Sequence, residues 1–111
     1  MNTQNVLEKL RLLRDMTDED AQTYLPLVQD AVQRLEGKRI RAGGDSLLET
    51  AAAALVNWQI SLTEPDGDFT AGEVRFTGGN TNRNAKRIWL DARNAAAPYL
   101  HDEAFAFRSI P

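Results

Sequence analysis

Residues 46–62 read SLLETAAAALVNWQISL, a helix-length stretch with neither glycine nor proline. Ser46-x-x-Glu49 has the pattern of a capping box, in which two side chains satisfy orphan amides at a helix start. Ala51–Ala54 are the strongest helix formers available. Leu48, Ala51, Ala52, Leu55, Trp58 and Leu62 recur at the i, i+3, i+4, i+7 spacing of one helical face. Leu47, Ala54, Val56 and Ile60 widen that face until Glu49, Thr50, Asn57 and Gln59 occupy only a minor part of the circumference. A helix apolar nearly all round is a buried one, so this stretch is expected at the centre of a bundle. The alanines let neighbours approach closely, while a fully buried Trp58 needs a partner for its indole N–H.

Towards the N-terminus the pattern predicts two amphipathic helices. The first spans Thr3–Arg14, with Val6, Leu7, Leu10 and Leu13 on its apolar face and Glu8, Lys9, Arg11 and Arg14 on the other. After the break at Asp15-Met16, Thr17 starts a second helix with Asp18, Glu19 and Asp20 in its first turn, where the helix dipole favours negative charge. Those three carboxylates radiate in different directions, which suits a capped helix end and not a metal site. The helix continues through Tyr24, Leu25, Val28, Ala31, Val32 and Leu35 to Gly37, a C-cap candidate. Pro26 inside it leaves two alternatives, one kinked helix or two short ones. Lys38–Asp45 (KRIRAGGD) is a basic loop ending in a glycine pair.

Towards the C-terminus, Glu64-Pro65-Asp66-Gly67 is a turn signal. Phe69–Asn82 (FTAGEVRFTGGNTN) places Val74 and Phe76 alternately with Glu73, Arg75 and Thr77, which predicts a short strand, with Gly78-Gly79-Asn80 as hairpin or loop. One strand cannot make a sheet alone, so it pairs within a hairpin or with a partner chain. A last helix begins near Thr81 or Asn82. Its apolar face is Ala85, Ile88, Trp89, Ala92, Ala95, Ala96 and Tyr99, and its wet side is Arg83, Lys86, Arg87, Asp91 and Arg93. Pro98 kinks or ends it. The tail His101–Pro111 carries Phe105, Phe107 and Ile110, and is expected to dock on its own domain or on a partner. The expected fold is all-α: one domain over residues 1–111, a small bundle of four main helices around a buried central helix. A short β hairpin or loop excursion separates the last two helices.

Composition narrows the function classes. A chain of 111 residues is one domain, able to bury roughly 65% of its unfolded surface in a core without staples. The absence of cysteine excludes disulfides and thiolate metal sites and fits a reducing interior. MNTQNVLEKLRLL mixes charges into its apolar stretch and is not a secretory signal. No apolar run approaches the roughly 20 residues of a membrane span. A net charge of −3 gives no bulk attraction to DNA or anionic lipid.

Chemistry-bearing constellations are sparse. His101 is the only histidine, so no Cys–His or multi-His metal site can be built. Ser46 or Ser61 with His101 lacks the glycines of a nucleophile elbow, and both serines read as helix-end residues. Gly43-Gly44 and Gly78-Gly79 lack the context of a phosphate cradle. No catalytic, cofactor-binding or metal-ligating residue is therefore expected, and no cofactor. The basic clusters Lys38/Arg39/Arg41 and Arg83/Lys86/Arg87 read either as solvated faces or as complementary patches at a protein interface. No polar recognition helix is present for duplex DNA.

The order of these segments resembles the head-to-tail connector (head-completion adaptor) proteins of tailed bacteriophages and prophages. The likeness covers most of the chain: LRLLRDMTDEDAQTYLPLVQDAVQRLEGK, then LLETAAAALVNWQI, then FTAGEVRFTGGNTN, then AKRIWLDARNAAAPYLHDEAFAFRSI. Its most specific part is Ala97-Pro98-Tyr99-Leu100 with Asp102-Glu103-Ala104-Phe105. Ala104-Phe105-Ala106-Phe107 departs from the glycine and adjacent aromatics of that pattern. The resemblance implies a structural virion component and not an enzyme. Such subunits assemble into a ring of about a dozen copies through heterologous contacts. The ring docks on the portal, meets the next head-completion or tail component, and extends a channel through which DNA passes without sequence-specific binding.

On that reading Phe105, Phe107 and Ile110 reach a partner, the portal first, and Arg83, Lys86 and Arg87 pair with acids such as Asp18–Asp20 of a neighbouring copy. The subunit belongs to the virion neck, and to the host cytoplasm before assembly; no membrane partner is expected. The alternative from another class is a small helical regulator that binds protein or nucleic acid, and a third is a small hydrolase.

Overall fold

The computed structural model describes residues 1–63, the backbone of residues 74–82, and residues 83–101. Four α-helices follow one another: α1 (Thr3–Leu13), α2 (Asp18–Lys38), α3 (Asp45–Thr63) and α4 (Val74–Ala96). A single 3-10 turn, Ala97–Tyr99, closes α4. Among the described residues there is no strand, only an isolated antiparallel bridge between Arg39 and Leu100.

Local chemistry accounts for most helix ends. The Asn2 side chain caps α1 by accepting from the amides of Gln4 and Asn5 at 2.7 and 3.2 Å. Thr17 and Asp20 form a reciprocal capping box at the start of α2. Pro26 lies inside α2, which runs as one helix of 21 residues, so the two-helix alternative falls away. Gly37 is not the C-cap. The helix passes through it to Lys38 and leaves by Arg39 in an extended conformation (φ −73°, ψ 133°) that any residue adopts. The left-handed backbone is displaced to Gly43 (φ 88°) and Gly44 (φ 71°). Pro98 sits in the first turn beyond α4, where its missing N–H leaves only a 3-10 turn.

Two boundaries differ from the sequence expectation. The helix α3 starts at Asp45, two residues before the start that a Ser46 cap implies, because the Gly44 carbonyl accepts from the Leu48 amide at 2.9 Å. Gly44 thereby takes the cap position assigned to Ser46, and Glu49 turns away to α1. The second difference is larger. Val74–Asn82, expected as strand, hairpin and loop, is the first part of α4. The alternation at Val74 and Phe76 is only two residues deep. A strand without a partner leaves its amides unpaired, whereas a helix satisfies them internally and overrides weak β propensity. The rest of the expected hairpin, with the Glu64–Gly67 turn, lies outside the described residues.

The core draws on every helix. Val6 and Leu10 of α1, Val28, Ala31 and Leu35 of α2, and Ala85, Trp89, Ala92 and Ala96 of α4 are buried. From α3 come Leu48, all four of Ala51–Ala54, Val56, Trp58 and Ile60. The helix α3 packs against α1, α2 and α4. Small buried residues are frequent on both of the helices that pack most extensively, Ala51–Ala54 on α3 and Ala85, Ala92 and Ala96 on α4, with Trp58 and Trp89 beside them. Leu47, Leu62 and Ile88, placed on apolar faces by spacing alone, are 39%, 55% and 37% exposed. They mark the edges of those faces.

Candidate functional site

Three constructions on this scaffold place polar and charged groups: a seam between α1 and α3, an ion cluster at the α2–α3 loop, and a groove between α2, α3 and α4.

The seam uses residues that periodicity assigns to solvent. Glu49 is only 5% exposed, and its carboxylate accepts from the Asn2 amide at 2.8 Å and from Asn5 Nδ2 at 3.4 Å. Lys9 Nζ donates to the Ser46 carbonyl, Ser46 Oγ and Thr50 Oγ1 at 3.0, 3.1 and 2.9 Å, using all three ammonium protons. Arg14 Nη1 donates to the backbone and side-chain oxygens of Asn57, which is also buried. Glu49, Thr50 and Asn57 of the minor polar face of α3 thus meet the polar residues of α1 and its C-cap, as the burial of Glu49 and Asn57 requires.

The ion cluster ties three separate parts of the chain. The Met1 ammonium lies 2.9 Å from Glu36 Oε2 and 3.8 Å from Asp45 Oδ2. The Arg39 guanidinium pairs with Glu36 and Asp45 and donates to the carbonyls of Arg41 and Gly43 at 3.1 and 2.8 Å. Its planar fork folds the loop around one cation. The Met1 ammonium, by hydrogen bond and charge, holds Glu36 below the usual carboxylate range, with Arg39 adding to it. Arg39 does the same for Asp45, and Glu36 raises the Met1 amine above its ordinary value. Arg39 therefore belongs to a loop staple, not to a free basic patch with Lys38 and Arg41.

The groove encloses a cavity of about 250 Å³. Leu35, Leu55, Trp58, Leu62, Trp89 and Leu90 supply its apolar walls, and Arg34, Lys38 and Lys86 its rim; among the described residues none of its lining is acidic. Arg34 is paired with Asp30 at 2.9 Å, one turn away on α2. Lys86 Nζ sits 5.9 Å from the centre of the Trp58 ring, within cation–π range. Gln59 also lines the cavity, and its Oε1 is buried without a hydrogen-bond partner. Sequence reading had no signal for this groove, because its walls come from three helices and Trp58 and Trp89 first read as core.

Of the expected interaction residues, Arg83, Lys86 and Arg87 are exposed on α4, and Lys86 alone reaches the groove. Phe105, Phe107 and Ile110 lie outside the described residues. Asp18 pairs with Arg11 at 3.1 Å, and Asp20 is engaged in the α2 cap. The serines have helix-level duties: Ser61 Oγ donates to the Trp58 carbonyl, and Ser46 Oγ accepts from Lys9. Among the described residues no group of three or more His, Cys, Asp or Glu side chains is placed to hold a metal ion. Nor is any described helix long and apolar enough to cross a membrane. No protein-family profile, curated protein or solved structure matches the chain.

Proposed function

We propose that the chain is a structural subunit of a phage or prophage head-to-tail connector, docking on the portal as one copy of a ring and extending the DNA channel towards the tail. The observation that carries this reading is the segment Ala97-Pro98-Tyr99-Leu100 followed by Asp102-Glu103-Ala104-Phe105, at the end of an ordered succession of helices. The 3-10 turn and the Arg39–Leu100 bridge hold Ala97–Leu100 beside the C-cap of α2. On this reading α3 is the axis of the bundle and α1, α2 and α4 sheathe it. Arg83, Lys86 and Arg87 meet carboxylates of a neighbouring copy, while Phe105, Phe107 and Ile110 engage the portal. An acidic protein suits a channel in which DNA must slide, because strong phosphate neutralisation would hold it.

The test is electron microscopy of the protein mixed with a candidate portal. Decorated portals carrying an extra ring are expected, and Arg87→Glu should reduce ring formation while leaving the monomer's helical content intact. Normal rings with Arg87→Glu would remove the charge-pairing role. Salt-sensitive binding to duplex DNA, with no portal decoration, would instead favour the regulator alternative.

A further inference from the structure

The groove between α2, α3 and α4 combines a cationic rim, an apolar floor and one buried amide oxygen with no donor. We propose that it is the docking site of this chain's own C-terminal segment, residues 102–107 (DEAFAF). The inference stands apart from the connector reading. It concerns the free subunit, and the same segment is available to the portal once displaced.

Chain continuity is the first argument. The His101 amide donates to the Lys38 carbonyl at 2.6 Å, and Lys38 lines the groove, so the segment departs from the rim itself. Six residues beyond His101 span up to about 20 Å when extended, enough to cross from α2 towards α4. Charge order is the second argument. Asp102 and Glu103 come first, against a rim whose described lining holds Arg34, Lys38 and Lys86 and no acidic residue. Phe105 and Phe107 follow with one alanine between them, which puts both rings on one face of an extended segment. That face matches a floor built from Trp58, Leu62 and Trp89.

The third argument is the orphan acceptor. A buried amide oxygen without a donor is costly, and a segment in extended conformation brings backbone N–H groups that can supply one. A cavity of about 250 Å³ is also smaller than the roughly 300–1,000 Å³ of most small-molecule sites, and it favours side chains of a peptide over a metabolite. Tethering selects the chain's own segment over a second copy's, because a short linker gives millimolar effective concentration.

The chain has no cysteine, so engineered pairs report contact directly. In the full-length protein, Leu62→Cys with Phe107→Cys, which share the floor-facing side, should form an intrachain disulfide under mild oxidation, seen as a faster band and a mass lower by two hydrogen atoms. A control pair, Thr50→Cys with Phe107→Cys, places the first thiol on the α1 side of α3 and should react at least about tenfold more slowly. Adding Lys86→Glu should slow the first pair and leave the control unchanged. Equal rates for the two pairs, or disulfide-linked dimers as the main product, would overturn the proposal. As a readout without cysteines, Phe105→Ala with Phe107→Ala should red-shift tryptophan emission at unchanged far-UV circular dichroism; unshifted emission counts against it. Portal decoration is scored separately, so failure here leaves the connector reading to its own experiment.

Discussion

The ring of Tyr99 lies over Gly44 so closely that a Cβ on that glycine would sit 2.7 Å from ring atoms Cδ2 and Cε2. Gly44 also holds φ at 71° while its carbonyl receives the first helical hydrogen bond of α3. Gly44→Ala therefore meets two penalties, left-handed strain of about 1 kcal/mol and a clash with the Tyr99 ring. Turning the ring does not relieve that clash at Cγ, 2.8 Å from the added Cβ, and the Tyr99 backbone is held by its carbonyl, which accepts from the Ile40 amide at 2.9 Å. Gly43→Ala meets only the first penalty, since its Cβ would stand 3.7 Å from the ring. Gly44→Ala is expected to lower stability by about 2–3 kcal/mol and Gly43→Ala by about 1 kcal/mol in urea unfolding. Equal losses would show that the ring contact contributes nothing.

Glu49→Ala probes the seam between α1 and α3. The carboxylate is the acceptor for the Asn2 amide and the Asn5 side chain at the very start of α1. Its loss leaves donors near the interface without partners, a cost of about 1–3 kcal/mol. Thr50→Ala, at an exposed position, removes only one of the three acceptors of Lys9 and should cost under about 1 kcal/mol. Hydrogen exchange separates the outcomes: Glu49→Ala should accelerate exchange at the amides of α1, whereas Thr50→Ala should leave them protected. Unchanged α1 protection in Glu49→Ala would show that apolar packing alone holds the helix.

The ion cluster makes stability depend on pH at both ends. Glu36 and Asp45 have folded values below their ordinary 4.5 and 3.8. Their contribution is complete above the unfolded values and is lost as pH falls through the folded ones. The Met1 amine is raised above its ordinary 8.0, so its contribution is complete below that value and is lost as pH rises through the folded one. Glu36→Gln removes the first partner of the amine and one of the two carboxylates. Thermal unfolding from pH 2 to 10 should show both limbs shallower in Glu36→Gln, with the mid-range plateau lower. Limbs as steep as in the parent would assign them to other groups.

Helices are legible in this sequence wherever a local rule operates, and illegible where the deciding partner is remote. Asn2, Thr17 and Asp20 act within a turn of themselves, so caps and helix starts near them can be read from spacing. Glu49 and Asn57 read as wet because helical periodicity sees only their own helix; the side chains that pair with them, Asn5 of α1 and its C-cap Arg14, are more than forty positions away in each case. Val74 and Phe76 misled for the opposite reason, since a local alternation with no partner strand is too weak to hold against a helix. Of the candidate site, the basic character of Lys38 and Lys86 was visible, but the groove that groups them with Trp58 and Trp89 depends on the packing of three helices. Arg39 shows the same limit: its partners Glu36 and Asp45 flank a loop whose closure no spacing rule specifies.

The four alanines of α3 offer the most direct test of how the helices pack. Ala51, Ala52, Ala53 and Ala54 are all fully buried, so a side chain enlarged at any of them has no solvent to expand into. Adding three heavy atoms at Ala53 must push a helix aside or force strained rotamers, a cost of about 1–3 kcal/mol or more. Leu47, by contrast, is 39% exposed on the same helix, and Leu47→Ala leaves a space that water can enter. Its loss should stay near 1 kcal/mol, well below the 2–5 kcal/mol of a fully buried leucine. Size therefore acts in opposite senses along one helix: enlarging Ala53 should harm the fold more than shrinking Leu47. Chemical denaturation of Ala53→Leu and Leu47→Ala decides it, and an Ala53→Leu variant as stable as the parent would mean that the alanine layer has room for a larger side chain.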